Sequence, residues 1–116
     1  MSSTRDHDPR KLLDILEPVL AELPHAIRHK AMFGGFGVYV EDRIFISLSN
    51  VGVAFKLSAS DHAALLAEGG EGLSYEPSTP PSKSYAVVPS EWHDKPAKLS
   101  EWATLSARFV LGATKK

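Results

Sequence analysis

The stretch Met32-Phe33-Gly34-Gly35-Phe36-Gly37-Val38-Tyr39 decides how the rest of the chain is read. Three glycines fall within four positions, between large apolar and aromatic side chains, directly before a run that alternates like a strand. Glycine weakens a strand, because it has no side chain to pack and loses the most backbone freedom on folding. So much glycine at a strand's start predicts a bulge, a positive φ, or a close approach by another backbone. A phosphate cradle is disfavoured. No Gly-Lys-Ser/Thr comes after it, and a strand and turn come next where a dinucleotide fingerprint needs a helix.

Outward from this stretch the pattern is strand-like. Phe36, Val38 and Val40 share one face while Gly37 and Tyr39 share the other. Glu41-Asp42-Arg43 reads as a polar turn, after which Ile44, Ile46 and Leu48 alternate with Phe45, Ser47 and Ser49. A second turn, Ser49-Asn50-Val51-Gly52, leads into Val53, Phe55 and Leu57, alternating with Ala54 and Lys56. Short polar turns between alternating runs predict an antiparallel meander with one buried face.

Before the meander, Met1 to Asp8 reads as a loose tail, with Asp8-Pro9 as a helix start: an N-cap acceptor and a proline whose missing N–H is not needed. Leu12, Leu16, Val19, Leu20 and Leu23 fall on one helical face, so a helix over about 9–23 is expected, kinked or shortened by Pro18. After the meander, Ser58-Ala59-Ser60-Asp61 is a capping signal for a short helix that stops at Gly69-Gly70. Leu73–Tyr75 and Tyr85–Val88 read as strands, separated by an exposed Pro77–Ser82 loop. A last helix begins near Pro96, with Leu99, Trp102, Ala103, Ser106, Phe109, Val110 and Ala113 on its inner face, and 114–116 as a loose end.

The order α-β-β-β-α-β-β-α over one domain, 1–116, predicts an α+β fold: two layers, with a mainly antiparallel sheet of about five strands and helices mostly on one face. Phe36, Val38, Ile44, Ile46, Phe55, Leu16, Trp102 and Phe109 form the expected core.

Composition narrows the function classes. A hydrophobic content of 43% with 23% charged residues is that of a globular chain, not a disordered one. Thirteen basic against fourteen acidic residues leave a net charge of −1, so no global field draws the chain onto nucleic acid or anionic lipid. Without cysteine there are no disulfides, thiolate metal sites or cysteine nucleophiles. No apolar run approaches membrane-spanning length and the N-terminus is polar, so a cytoplasmic location is the simplest expectation.

The catalytic search ends without a constellation. His25 and His29 have the i, i+4 spacing of a helical metal pair, but no glutamate succeeds His25, Pro24 interrupts a helix there, and a catalytic zinc needs a third protein ligand. His7, His62 and His93 are scattered in sequence. Serine is abundant without a Gly-x-Ser-x-Gly elbow. Glu41-Asp42 sits at a hairpin tip where solvation is the ordinary outcome. A non-enzyme with no cofactor and no metal is therefore expected. The alternative is a small-molecule or metal pocket, or an enzyme, built near His25, His29 and the Pro77–Ser82 loop.

For binding, Arg28, His29 and Lys30 form the best local charge cluster, with Arg43 across the hairpin and Phe33, Phe36 and Tyr39 interleaved. Cations beside stacking planes suit bases or phosphates, although Phe36 as core and the cations as a solvated edge is the favoured reading. Trp92 lies in a charge-rich loop, where it either caps the core beneath the last helix or forms an exposed interface anchor. Period-2 counting places Tyr39, Phe45 and Ala54 together on the outer sheet face, an apolar patch for a partner or a symmetric homodimer. The candidate partner-binding residues are thus Arg28, Lys30, Tyr39, Arg43, Phe45 and Trp92.

The glycine stretch and the residues after it also resemble the N-terminal domain of the TfoX/Sxy family of bacterial competence regulators. The residues that carry the resemblance are Met32, Phe33, Gly34, Gly35, Gly37 and Tyr39, the Glu41-Asp42-Arg43 turn, Ala54-Phe55-Lys56-Leu57, Tyr75, Tyr85, Pro89, Glu91, Asp94, Leu99 and Trp102. They span most of the chain, from about Leu12 to about Ala113. The resemblance implies the same α+β arrangement, and a regulatory module that meets a protein partner in transcription, as the founders do with the cyclic-AMP receptor protein. The founders carry a second, C-terminal domain, whereas this sequence ends at Lys116. With no recognition helix and no basic surplus, direct base reading is not expected.

Overall fold

The computed structural model describes residues 7–32, 35–74 and 82–112. In chain order they form helix α1 (Pro9–Ala21), strands β1 (Ile27–Met32), β2 (Gly35–Val40), β3 (Arg43–Ser49) and β4 (Gly52–Lys56), and helix α2 (Ala59–Ala67). Strands β5 (Glu71–Gly72) and β6 (Tyr85–Val87), a 3-10 turn (Ser90–Asp94) and helix α3 (Pro96–Gly112) complete the order. The sheet has six strands rather than five, in the order β1-β2-β3-β4-β6-β5, and every pairing is antiparallel.

The helix starts are set locally. The Asp8 carboxylate accepts from the Arg10 N–H at 3.0 Å with Pro9 in the first turn, and the Ser58 hydroxyl accepts from the Asp61 N–H at 3.2 Å. Each satisfies a donor that the first helical turn leaves without an intrahelical acceptor. Pro18 is accommodated inside α1, which ends at Ala21. His7 and Asp8, assigned by sequence to the tail, are held: the His7 N–H donates to the Asn50 carbonyl at 2.9 Å and Asp8 caps α1. Tyr75 and the loop residues 77–81 lie outside the described residues, as do Phe33, Gly34 and Ala113. The strand expected at Leu73–Tyr75 is drawn earlier, to Glu71–Gly72, and its pairing with β6 ends in a Leu73 N–H bond to the Tyr85 carbonyl at 3.0 Å.

The core lies between the sheet and α1 and α3, with Leu16, Val38, Ile46, Phe55, Leu99 and Trp102 buried in it and Phe36 and Phe109 packed against it. Leu65 brings α2 into the same core, so all three helices lie on one side. The opposite face carries a smaller cluster of Val51, Ala54, Leu73, Tyr85 and Val87.

Two features of the meander depart from simple alternation. Val38 pairs with Ile46 but Tyr39 pairs with Ile44, so Phe45 is an extra residue, a β-bulge in β3. The bulge rotates Phe45 into the core, where it is 0% exposed, and turns Ile44 to the outer face beside Tyr39. The sequence places these two residues the other way round, because period-2 counting has no memory of an inserted residue. The single O–H of the buried Ser106 is shared between two carbonyls, Lys56 at 2.7 Å and the bulged Phe45 at 3.1 Å, which ties the bulge to α3.

The second departure is at Gly35, and it selects among the three causes the glycine run suggests. A Cβ added there would sit on the Leu48 carbonyl oxygen, with the Leu48 carbonyl carbon 3.1 Å and the Ser49 Cα 3.2 Å away. Close backbone approach is therefore the reason for glycine at this position.

Candidate interaction site

β1 (Ile27–Met32) ends the sheet and pairs only with β2. Nothing in Ile27-Arg28-His29-Lys30-Ala31-Met32 alternates between apolar and polar, so this strand exists through its partner and not through a buried face of its own. The hairpin tip beyond β2 fastens it. Glu41 and Asp42 turn the chain with φ of 49° and 72°, the double positive φ of a type I′ turn, which aspartate tolerates better than glutamate. Both acids bond back to the start of β1. The Glu41 carboxylate accepts from the Ala26 N–H at 3.2 Å and lies 3.7 Å from His25 Nδ1, while the Glu41 N–H donates to the Ala26 carbonyl at 3.0 Å. Asp42 accepts from Arg28 at 2.9 Å.

The Ala26–Glu41 bond also fixes the phase of the ladder. In an antiparallel pair, backbone groups alternate between facing the partner and facing away. Arg28 and Lys30 therefore bond toward β2, and the peptide groups of Ile27, His29 and Ala31 point out from the sheet edge. Their side chains share the inner face with Val40, Val38 and Phe36, their register partners. Helix α1 does not cover them: His29 and Ala31 are exposed and Ile27 is half-buried. Between α1 and β1 lies an open groove of about 470 Å³, lined by Leu13, Leu20, Leu23, Ile27 and Val38 together with Glu17, His25, Arg28 and His29. The His29 ring stands edge-on to Phe36 at 5.8 Å, and the Arg10 guanidinium lies 5.5 Å from the same Phe36 ring.

The outer side of this edge is cationic. Arg28 lies over the Tyr39 ring at 5.5 Å, Lys30 faces Gly37, and both cations are exposed, as is Arg43 at the start of β3. Arg28, Lys30 and Tyr39 thus sit on one end of one face, as the sequence suggests, whereas Arg43 pairs with Val40 and by register falls on the other face. Two other candidate anchors do not join them. Phe45 is withdrawn into the core by the bulge. Trp92 is 6% exposed, stacked on Trp102 at 6.4 Å with the Lys98 ammonium 4.9 Å over its ring, so it caps the core. Ala54 lies on the outer face, buried in the small cluster there, and leaves Tyr39 with Ile44 as the apolar pair near the cations.

The histidines divide into separate places. His25 and His29 line one groove, but from a turn and a strand, not from a helix. His93 stands against His7, ring centroids 5.0 Å apart, at the other end of the sheet; burial and the His7 charge hold it below the ordinary histidine value, against a smaller opposing pull from Asp94. His62 Nε2 donates to the Ser82 carbonyl at 2.9 Å and holds the start of the described segment before β6. Its position on a short amphipathic helix was the sole sequence signal for this burial. Among the described residues no group of three or more His, Asp or Glu side chains is placed to hold a metal ion, and no helix is long and apolar enough to cross a membrane.

No curated protein matches the chain. The family model of the TfoX N-terminal domain matches residues 19–110, which takes in the glycine stretch, the whole sheet and most of α3. The chain belongs to the TfoX N-terminal domain family.

Proposed function

We propose that this chain is a non-catalytic regulatory module that works by binding another protein, in the transcription context implied by the family's founders and in the cytoplasm. The observation that carries this reading is the β1 edge. A six-residue strand with outward backbone groups and an uncovered inner face is a surface that another polypeptide completes. A net charge of −1 agrees with protein rather than DNA as the partner, since phosphate binding needs a basic surplus. Self-association through the outer face is the weaker part of the proposal, because the bulge removes Phe45 from that face.

The test is affinity capture from native lysate, with and without nuclease, using the parent and a charge-reversed Arg28→Glu, Lys30→Glu variant. A partner retained after nuclease and lost from the variant supports the module. Capture that disappears with nuclease in every case replaces it with a nucleic-acid reading.

A second reading has its own observation: His25 and His29 do share the α1–β1 groove, whose size suits a small ligand. A small-molecule screen by NMR that moves the His25 and His29 ring signals, while leaving the edge amides of β1 in place, favours it.

A further inference from the structure

Resting on that interaction reading, we propose the chemistry of the partner: an extended peptide that adds to β1 as a seventh strand, with acidic side chains at alternate positions and an apolar one between them. Three observations meet here. The outward peptide groups of Ile27, His29 and Ala31 supply main-chain donors and acceptors at strand spacing, about 4.8 Å from where the next strand would lie. The outer-face side chains at this edge are Arg28 and Lys30, and β1 contains no acid. The inner face opens on the groove of about 470 Å³, where Leu13, Leu20, Leu23 and Ile27 supply apolar lining beside Glu17 and His25.

A strand laid on this edge alternates its side chains between those two environments. The residues opposite Arg28 and Lys30 share their face and are best met by Asp or Glu, since opposite charges across strands stabilise and like charges do not. The residue between them points to the groove, where an apolar side chain loses water against α1. Arg28 already bonds to Asp42, but with side chains 65% and 80% exposed this pair exchanges readily for a new carboxylate. Lys30 has no carboxylate partner among the described residues and is the cation an incoming acid meets first.

A second copy of the chain fits this edge poorly. To satisfy the outward groups of Ile27, His29 and Ala31, an antiparallel copy must pair odd positions with odd and even with even. Every central register then sets Arg28 or Lys30 against Arg28 or Lys30 of the copy. Charged edges of this kind keep sheets from joining each other.

The test is fluorescence anisotropy of the full 116-residue chain with two labelled peptides, Val-Glu-Val-Glu-Val and Val-Lys-Val-Lys-Val. The glutamate peptide is expected to bind roughly tenfold more tightly than the lysine peptide, since two partly exposed pairs are involved. Lys30→Glu should reverse or erase the preference. His29→Pro removes an outward N–H and no β1–β2 bond, so it should abolish binding of the glutamate peptide; circular dichroism confirms its fold, and Lys30→Glu carries the test if it does not fold. Equal binding of both peptides, indifference to Lys30→Glu, or no binding overturns the proposal, as does light scattering that shows a dimer lost in His29→Pro. If these fail while lysate capture still yields a nuclease-resistant partner, the module stands and its surface lies elsewhere; if capture fails as well, the module reading falls too.

Discussion

The two ends of the sheet solve the same problem in opposite ways. At one end β5 is two residues long, and α2 comes just before it with Leu65 in the core and its C-terminal Glu68 held by Lys98 of α3 at 3.1 Å. An edge only two residues long gives another chain little to pair with. At the other end β1 has six residues, no helix over its inner face, and protection from Arg28 and Lys30 instead of from cover. Shortness leaves any partner little to bond, whereas charge excludes only those of like sign. The difference teaches that the open end discriminates among strands while the closed end refuses them.

On this contrast, stability resides between the sheet and its helices and little of it at β1. The largest loss is expected from Trp102→Ala, which empties the site where Trp92 stacks and should cost about 3–5 kcal/mol in chemical denaturation. A loss below about 1 kcal/mol would mean that the tryptophan pair is not the keystone of the closed end. Gly35→Val comes next. Its Cβ would collide with the Leu48 backbone, so β2 and β3 must part, at about 1–3 kcal/mol; a thermal midpoint equal to the parent's would remove close approach as the reason for glycine.

Ser106→Ala takes the hydroxyl from the Lys56 and Phe45 carbonyls and should cost about 1–2 kcal/mol. Crystallography or NMR of that variant would also show whether the bulge at Phe45 holds without its tie to α3. A smaller effect is set by pH at the His7–His93 contact. The depressed His93 favours the neutral ring in the folded state, so its contribution is present in full above 6.5 and is lost as pH falls from there through the folded value. Thermal midpoints of the parent should therefore drop more than those of His93→Gln over that window, and parallel curves would count against the assignment. The last test moves no stability at all. Hydrogen exchange at β1 should alternate, with Arg28 and Lys30 protected by β2 and Ile27, His29 and Ala31 fast, while Phe55 in the central β4 exchanges slowly. Uniform protection along β1 would show that its edge is already occupied.

Much of the fold was legible in the sequence where the signal is local. Asp8-Pro9 and Ser58 announce their helices because a cap is made by residues within three positions of it. The stop at Gly69 agrees with its φ of 109°, which a side chain resists. The cations of the candidate edge were legible as well, but their grouping was not a site until β1 placed them on one. Phe45 and Trp92 show the limit from the other side. Strict alternation puts Phe45 outside because it cannot see the bulge, and of the two readings open for Trp92 only its packing on Trp102 selects the core cap.

By itself the sequence determined the α+β class, the caps, the hairpin turns, the helical core stripes and the need for glycine near the start of β2. Only the tertiary structure decided three things: that residues 27–32 form a strand, that Phe45 and Ile44 exchange faces, and that the sheet extends one strand beyond its helices. The physical reason is common to all three. A strand without a buried face is stabilised by hydrogen bonds to a neighbour, a bulge by the partner register and the Ser106 hydroxyl, and an uncovered edge by where α1 ends; none of these is a property of consecutive residues.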